Sequence, residues 1–334
     1  MTDDSSHRAN DAELTRVSVI GLGTMGHGIA QTMALAGHSV RGYDEHPASR
    51  QSLVPRITAN LRQMQALGIV EERSISDALG RITVGETEAE ALDGAQFVTE
   101  AVSEDLSLKQ ALFERLETMV DPNTIVASNT SSYPMTEISV RMKRAERAIV
   151  THWFNPPHIM PVVEVVPGER TSPETTQTVC DFLERIGKTP VRLNQEIPGF
   201  LVNRVQIAMF REIWDLWNRG VASAEDIDRA IRGSMGLRLA ALGPLAVSDF
   251  AGWDVTSRVY QNLIPDLRSD HELPERILDL VRAKHYGAKT GQGVFEYPQE
   301  SLDQRIADRD RTYLQLVQLV AQADGSDEEN QSGD

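Results

Sequence analysis

A histidine and a glutamate twelve positions apart (164 − 152) are the residues of this sequence best suited to acid–base chemistry. His152 lies in the β-branched and apolar run Ile149–Phe154, and Glu164 lies in the run Val162–Val166. The prolines between the two runs allow the chain to turn and return on a neighbouring strand. A histidine that titrates near neutrality can accept the proton of an alcohol, and a carboxylate on its second ring nitrogen would fix its tautomer. The pair predicts a general base for the oxidation of a secondary alcohol.

Other interpretations of these histidines stay open. A single histidine in an apolar strand is commonly a packed core residue, and this applies to His152. His158, in the loop that follows, is a second candidate for the base, and it could instead line a substrate pocket.

A glycine-rich turn follows the first predicted strand. The segment reads VSVIGLGTMG, an apolar run that leads into the pattern G-x-G-x-x-G and then into residues at helical spacing. Gly21 would permit the tight turn, Gly23 would let a pyrophosphate approach the backbone, and Gly26 would let helix and strand pack closely. The backbone NH groups at the start of the helix, near Thr24 and Met25, would then meet the pyrophosphate at the positive end of the helix dipole. This arrangement predicts a dinucleotide site.

Asp44 follows the second predicted strand, at the distance from the glycines that this kind of site requires. A carboxylate there accepts hydrogen bonds from both ribose hydroxyls and repels a 2′-phosphate. The sequence therefore predicts NAD rather than NADP as the cofactor. The alternative is an aspartate that only forms the turn before Pro47.

Several further blocks resemble the 3-hydroxyacyl-CoA dehydrogenase family. They read SNTSS from residue 128, HWFNPPH from residue 152, PVVEVV from residue 161, PGFLVNR from residue 198 and GAKTGQG from residue 287. The resemblance runs from about Arg16 to Tyr297, with the motifs in the order that the family has. It implies an NAD-dependent dehydrogenase in which His152 and Glu164 are the catalytic pair.

The resemblance also implies roles for residues outside that pair. Ser131 and Asn203 match family residues that bind the substrate near its reacting oxygen, and both can donate to a developing carbonyl. Glu104 and Lys109 would lie along the NAD together with Ser131, and Lys289 would reach the cofactor from the second domain. Without the family, Ser131 could merely cap a helix and Asn203 could merely face solvent.

The implied substrate is a 3-hydroxyacyl-CoA, such as 3-hydroxybutyryl-CoA, oxidised to the 3-oxo compound in fatty acid metabolism. In the acyl-CoA enzymes, however, the helix after the ribose-binding acid continues into a lysine-rich stretch that meets the phosphates of CoA. Here residues 60–73 contain only Arg62 and Arg73 as basic residues, and two glutamates oppose them. The form NPPH of the active-site loop also resembles relatives that act on small free hydroxy acids or hydroxymethyl-pyridine carboxylates. A catalytically silent NAD-binding protein with a structural or sensing role is a further alternative.

The elements around these motifs predict an α/β fold, with a Rossmann-type, mostly parallel sheet domain followed by an all-helical C-terminal domain. Short β-branched runs alternate with helical patterns as far as Leu193, and helical spacing dominates after Pro198-Gly199. The predicted strands are Val17–Ile20, Ser39–Tyr43, Ile82–Val84, Phe97–Ala101, Ile125–Ala127, Ile149–Phe154, Val162–Val166 and Pro190–Leu193. The expected division is a disordered tail (1–15), an NAD-binding domain (16–197), a helical substrate and dimerisation domain (198–322) and a disordered acidic tail (323–334).

Composition narrows the possible partners. The 334 residues carry a formal net charge of −16, which argues against nucleic acid or an anionic membrane as the main partner. Cys180 is the single cysteine, so no intramolecular disulfide is expected, and no cluster has metal-ligand spacing. With no signal-like segment and no apolar run of membrane length, we expect a cytoplasmic protein. Helices after residue 203 that are apolar on more than one face predict a homodimer.

Overall fold

The computed structural model describes residues 14–331, with side chains described as far as residue 323. Its first part contains an eight-stranded sheet with the strand order β3-β2-β1-β4-β5-β6-β7-β8. All neighbouring strands are parallel except β6 and β7, which are antiparallel. The strands are β1 (Arg16–Ile20), β2 (Ser39–Tyr43), β3 (Ile82–Val84), β4 (Phe97–Glu100), β5 (Ile125–Ser128), β6 (Ala148–Trp153), β7 (Val162–Pro167) and β8 (Thr189–Arg192).

Helices accompany this sheet as the alternating sequence pattern predicts. They are α1 (Gly26–Leu35), α2 (Pro47–Ala66), α3 (Glu72–Gly80), α4 (Glu88–Leu92), α5 (Leu106–Met119), α6 (Met135–Ile138) and α7 (Pro173–Arg185), with short 3₁₀ turns at Ser139–Arg141 and Ala145–Arg147. The start of α7 shows how local sequence sets a boundary: the hydroxyl of Ser172 accepts a hydrogen bond from Thr175 N, and a proline occupies the first helical position.

The central strands carry the core of the sheet. Every residue of β4, β5 and β6 is buried, which fits strands covered on both faces, and each strand begins with an apolar run and carries its polar residues toward its carboxyl end. Side chains from these strands pack with α5 and α6 in one cluster, which includes Val98, Phe113, Val126, Val150 and Phe200. The polar residues of this core therefore need internal partners, and they lie mostly where the strands end.

The carboxyl ends of the parallel strands β1, β4, β5 and β6 meet at one edge of the sheet. The glycine turn follows β1, Glu100 ends β4, Ser128 ends β5, and His152 lies one residue before the end of β6. Ligands bind at this edge in open α/β sheets. The fold thus gathers the predicted glycine, serine and histidine motifs on one side.

The chain divides into two compact units, of which the first ends at Val202 and the second begins at Asn203. The second unit is helical, with a π-helical turn at Arg232–Gly236 and a 3₁₀ turn at Ala288–Thr290. Its helices are α8 (Val202–Asn218), α9 (Ala224–Ile231), α10 (Leu237–Leu242), α11 (Pro244–Ala251), α12 (Trp253–Leu263), α13 (Glu275–Arg282) and α14 (Gln299–Gln331). None of the residues within α8–α13 is buried.

Contacts and helical structure cross the predicted boundaries in three places. The first compact unit includes residues 198–202, and the backbone of Leu201 and Val202 is hydrogen-bonded to Glu164 of β7. Helix α14 runs on to Gln331, through most of the segment predicted to be disordered from 323, since an established helix gains one hydrogen bond per added residue. Near the N-terminus, Thr15, which was assigned to the predicted tail, donates a backbone hydrogen bond to Gln96 Oε1. The rest of the predicted tails, at 1–13 and 332–334, lies outside the described residues. Across 14–331, no helix combines the length and apolarity needed to cross a membrane.

Candidate active site

The glycine turn has the geometry that its three glycines predict. Gly21 has φ 93°, and a Cβ there would stand 2.5 Å from Ala101 O. A Cβ on Gly26 would stand 1.8 Å from Gly21 O, so the start of α1 packs on the turn too closely for any side chain. A Cβ on Gly23 would meet nothing within 4 Å. The backbone beside Gly23 therefore borders open space in which a phosphate could approach it.

Asp44 and Arg56 support this turn from β2 and α2. The carboxylate of Asp44 accepts hydrogen bonds from Leu22 N at 2.7 Å and from His46 N at 2.8 Å. The guanidinium of Arg56 donates to Leu22 O at 2.5 Å and to Gly23 O at 3.1 Å. Burial lowers the pKa of Arg56, and the charge of Asp44 partly offsets this effect. Each carboxylate oxygen of Asp44 keeps acceptor capacity for a ribose hydroxyl, so the residues present fit NAD.

His152 and Glu164 face each other across the antiparallel pair β6 and β7, as register partners. His152 Nδ1 lies 2.6 Å from Glu164 Oε2. The second oxygen, Oε1, accepts hydrogen bonds from Leu201 N at 3.0 Å and Val202 N at 2.8 Å. Both side chains are buried. The carboxylate thus orients the imidazole, while two backbone amides hold the carboxylate, and Nε2 remains to accept a proton from substrate.

Aromatic rings surround the imidazole of His152. The ring of Phe154 lies 4.6 Å away and that of Phe200 lies 5.5 Å away, centroid to centroid. Phe200 is fully buried and has φ 51°, an uncommon backbone conformation for a residue that is not glycine. The next residue of β6 is fixed as well, because Trp153 N donates to Asn129 Oδ1 at 2.9 Å. Together these contacts limit the movement of the histidine.

Glu104 organises the loop that carries Ser131. Its Oε1 accepts hydrogen bonds from Thr130 Oγ1 (2.7 Å), Ser131 N (2.9 Å), Ser131 Oγ (3.3 Å), Ser132 N (3.1 Å) and Ser132 Oγ (2.7 Å). Burial alone would raise the pKa of Glu104, but the hydrogen bonds from Thr130 and Ser132 and the charge of Lys109 outweigh it and lower the pKa. Glu104 therefore sits in this loop as an anion.

Lys109 lies within the protein rather than at its surface. Its side chain is 1% exposed, and its Nζ lies 2.7 Å from Glu100 Oε1 and 3.3 Å from Glu104 Oε2. Ser128 Oγ donates to the other oxygen of Glu100 at 2.6 Å. No sequence signal marked Glu100, whereas Ser128 begins the SNTSS block that resembles the family, without a role of its own. The predicted contact of Lys109 with NAD stays a prediction, and the observed role of its ammonium is to hold the two carboxylates.

His158, the alternative base, lies in the loop between β6 and β7. A Cβ on Gly28 would stand 3.0 Å from His158 Nδ1, so this loop packs directly on α1. His27 lies nearby, with 6.2 Å between the two ring centroids, and burial lowers the pKa of His27. The carboxylate of Glu164 is bonded to His152, which favours His152 as the base.

Two predicted site residues belong to the second unit. Asn203 is the first residue of that unit. Lys289 lies in the turn Ala288–Thr290 with its Nζ 5.1 Å from the ring centroid of Tyr286, and positive-φ glycines flank the turn. The predicted contacts of Asn203 with substrate and of Lys289 with NAD stay predictions. Among the described residues, no group of three or more metal-ligating side chains could hold a metal ion.

The fold and these side chains define a class of protein: a nicotinamide-dependent dehydrogenase with a histidine–glutamate pair at the carboxyl edge of its sheet. The family model of the 3-hydroxyacyl-CoA dehydrogenase NAD binding domain matches residues 16–197, and that of the C-terminal domain matches residues 199–297. The chain belongs to the 3-hydroxyacyl-CoA dehydrogenase family, and it is an NAD-dependent oxidoreductase. This favours an enzyme over the catalytically silent protein that the sequence left open.

Individual relatives differ in the substrates that their names give. The chain is 35% identical over 307 residues to a 5-formyl-3-hydroxy-2-methylpyridine 4-carboxylate 5-dehydrogenase of Mesorhizobium japonicum, covering 92% of this chain and 98% of the relative. It is 36% identical over 290 residues to a probable 3-hydroxybutyryl-CoA dehydrogenase of Bacillus subtilis, covering 86% and 99%. A crystal structure of the pyridine carboxylate dehydrogenase, described as an NAD⁺-dependent dismutase, has a TM-score of 0.87 at 34% identity, covering 92% of this chain and 99% of that one.

Proposed function

We propose that this enzyme oxidises a hydroxyl group of a small carboxylic acid that does not carry CoA, with NAD as the hydride acceptor. His152 is the base in this proposal, Glu164 its orienting partner, and Ser131 and Asn203 the donors to the developing carbonyl. The single observation that supports a substrate without CoA is the lack of available basic side chains on α2. Each arginine of this helix binds other groups of the protein, and no lysine precedes Lys109 in the chain.

Proton removal is assigned to His152 Nε2, because Glu164 is bonded to the other ring nitrogen, Nδ1. His152 Nε2 accepts the hydroxyl proton, and the imidazolium that forms is stabilised by the carboxylate 2.6 Å from Nδ1. Bound NAD would supply the acceptor for the hydride that leaves the carbon bearing this hydroxyl. The buried position of the pair strengthens its electrostatic interaction and restricts water at the reacting carbon.

The arginines of α2 support a substrate without phosphates. Arg50 donates to Asp44 O at 2.8 Å and pairs with Glu86, and Arg56 donates to the carbonyls of the glycine turn. Arg62 is paired with Glu72. A CoA phosphate would have to compete with these partners, and recognition of phosphate depends on lysine or arginine groups that are available.

A second candidate is the oxidation of a 3-hydroxyacyl-CoA such as 3-hydroxybutyryl-CoA. The observation that favours it is the 36% identity to the probable 3-hydroxybutyryl-CoA dehydrogenase, which covers nearly all of that relative. The reaction and the base would be the same in both candidates. A cytoplasmic location, a homodimer and a place in fatty acid metabolism are further proposals that the sequence suggests.

The experiment compares alcohols whose carboxyl group is a CoA thioester, a truncated thioester or a free acid. NADH formation is followed with 3-hydroxybutyryl-CoA, with the N-acetylcysteamine thioester of the same acid, and with free 3-hydroxybutyrate, carnitine and a hydroxymethyl-pyridine carboxylate. If CoA binding contributes nothing, kcat/KM for the two thioesters should agree within about threefold, and a free acid should exceed both. A kcat/KM for the CoA thioester that exceeds the truncated thioester and every free acid by about 100-fold would establish the second candidate instead.

A further inference from the structure

Lys188 is a buried lysine that the dehydrogenase chemistry described above does not use. It lies between the end of α7 and the start of β8, and it is 8% exposed. Strand β8 is the neighbour of β7, which carries Glu164. The side chain therefore lies at the side of the sheet on which the catalytic pair is built.

The ammonium of Lys188 reaches the loop that joins β6 to β7. Its Nζ donates to Pro157 O and to Met160 O, both at 2.8 Å, and it lies 5.4 Å from the ring centroid of Trp153. Thr189 N adds a backbone hydrogen bond of 2.9 Å to Pro161 O. One charged group thus joins two carbonyls of a loop that has His152 before it and Glu164 after it.

This loop also lies against the start of α1, the helix that follows the glycine turn. A Cβ on Gly28 of α1 would stand 2.7 Å from Pro157 Cγ. Within the loop, Ile159 N and Met160 N each donate to Pro156 O at 3.0 Å. The loop is therefore held from two sides, by α1 on one and by Lys188 on the other, and the ring of its first residue, Phe154, lies 4.6 Å from that of His152, centroid to centroid.

The partners of Lys188 show that its burial is costly. In the described part of the chain, its ammonium forms no ion pair with a carboxylate, and two carbonyls and one aromatic ring face it instead. Burial lowers its pKa to about 8, which reports the cost of keeping a charge there. An apolar side chain of similar length would fill the same volume without this cost. A buried group that costs stability is commonly kept for function.

We propose that the ammonium of Lys188 is a positioning group for the reaction, because it fixes the 154–161 loop between His152 and Glu164 in the conformation that binds substrate. The expected effect of Lys188 on turnover rests on the proposed dehydrogenase function. The structural part of the inference, the attachment of the loop to Lys188, holds whichever alcohol is oxidised.

The test compares Lys188→Met, which keeps the length and loses the donors, with Lys188→Arg, which keeps a charged donor. Lys143→Met is the matched control, since Lys143 is an exposed lysine of the same unit. Hydrogen exchange of the Ile159 and Met160 amides is measured on the protein without substrate. Steady-state kinetics follow, with the best alcohol of the substrate panel, and NADH affinity is measured by fluorescence.

In Lys188→Met the two loop amides should exchange at least about tenfold faster than in wild type, beyond any change in β5 or α5. KM for the alcohol should rise and kcat should fall, lowering kcat/KM by about 10- to 100-fold, while the Kd for NADH stays within about threefold. Lys188→Arg should restore both the loop protection and most of kcat/KM. Lys143→Met should match wild type.

Unchanged exchange of the loop amides in Lys188→Met, or a Lys188→Arg protein as impaired as Lys188→Met, would overturn the proposal and leave Lys188 as a packing residue. If Lys188→Met does not fold, Lys188→Gln takes its place with the same expectations, since its neutral amide is too short to span both carbonyls. If no alcohol of the panel is oxidised, the proposed function fails, yet the exchange measurement still decides whether Lys188 holds the loop.

Discussion

Glu164 uses both of its carboxylate oxygens, and this explains why a carboxylate rather than an acceptor with a single oxygen partners His152, the proposed base. One oxygen accepts from the imidazole and the other accepts from two backbone amides. Three donors converge on a group that, when ionised, only accepts. The same contacts connect the pair of His152 and Glu164 to residues 201 and 202, directly before the second unit begins.

The first prediction concerns the identity of the base. His152→Gln should lower kcat by a factor on the order of 10²–10⁴, because the proton of the alcohol then has no acceptor, while NADH binding stays near normal. His158→Gln is the matched variant and should keep more than about a tenth of the wild-type kcat. Steady-state kinetics on both proteins check this. The reverse pattern, with His158→Gln inactive and His152→Gln active, would assign the base to His158.

A second prediction at this scale concerns cofactor choice. NADH should bind at least about tenfold more tightly than NADPH, because the carboxylate of Asp44 accepts ribose hydroxyls and repels a 2′-phosphate. Asp44→Asn removes the charge and keeps an acceptor for Leu22 N, so it should narrow the difference between the two cofactors. Fluorescence titrations with both reduced cofactors measure it. Equal affinities in the wild type would show that Asp44 only forms the turn.

At the scale of elements, the sequence was sufficient to find all eight strands, and for the central strands the reason lies in their burial. Strands covered on both faces, such as β4 and β6, begin with short apolar runs that helices and turns separate. The pairing of His152 with Glu164 followed from the same reading, because two adjacent runs joined by prolines form an antiparallel pair. The residue types and the family resemblance then predicted that this pair is catalytic, and this assignment stays a prediction.

What the sequence could not predict depends on contacts between distant segments. Lys188 reaches carbonyls 28 and 31 residues away, and this contact exists only because α7 returns the chain to the edge of β7. Backbone carbonyls carry no sequence signal. The hydrogen bonds from Leu201 N and Val202 N to Glu164 could not be predicted for the same reason, because a pattern of side chains does not show which backbone amides bind a distant carboxylate.

The glycine turn between β1 and α1 allows a test that separates folding from cofactor binding. Gly26→Ala should destabilise the protein severely, because its Cβ would stand 1.8 Å from Gly21 O. Gly23→Ala should leave the melting temperature within a few degrees of wild type, since nothing lies within 4 Å, and should weaken NADH binding at least about tenfold. Thermal melts and NADH titrations of the two variants check this. Normal NADH affinity in Gly23→Ala would place the pyrophosphate elsewhere.

Lys188, between α7 and β8, should make the free energy of unfolding rise with pH. A lysine in a surface ion pair would make it fall. Burial lowers the pKa of Lys188 from 10.5 to about 8, so between these values the unfolded chain binds the proton and the folded chain does not. The free energy of unfolding contributed by this group therefore rises with pH across that window, by up to about 3 kcal/mol. In Lys188→Arg the guanidinium stays protonated in both states, so this rise should be absent. The free energies of unfolding of both proteins are measured with denaturant at about pH 7 and about pH 10. An equal change between the two pH values in wild type and Lys188→Arg would contradict the prediction.

At the scale of the whole molecule, the two units differ in how their apolar side chains are covered. The first unit has a continuous core around its sheet. The helices α8–α13 of the second unit have no buried residue, and large apolar side chains such as Leu237, Leu245 and Phe250 are more than half exposed. A helical unit that buries so little cannot offset the conformational entropy of its own folding. Exposed apolar surface of this extent marks an interface.

We therefore expect a homodimer formed through the second unit, with a second copy of the chain covering these helices. Light scattering at micromolar concentration should give the mass of two chains. Leu245→Arg should shift the mass toward one chain or lower the melting temperature steeply, because Leu245 is 73% exposed on α11 and a charge there would be buried in the interface. Val140→Arg, at an equally apolar and 62% exposed position of the first unit, should leave both mass and melting temperature unchanged. A wild-type protein with the mass of one chain would refute the dimer, and an equal response to the two substitutions would remove the second unit as its interface.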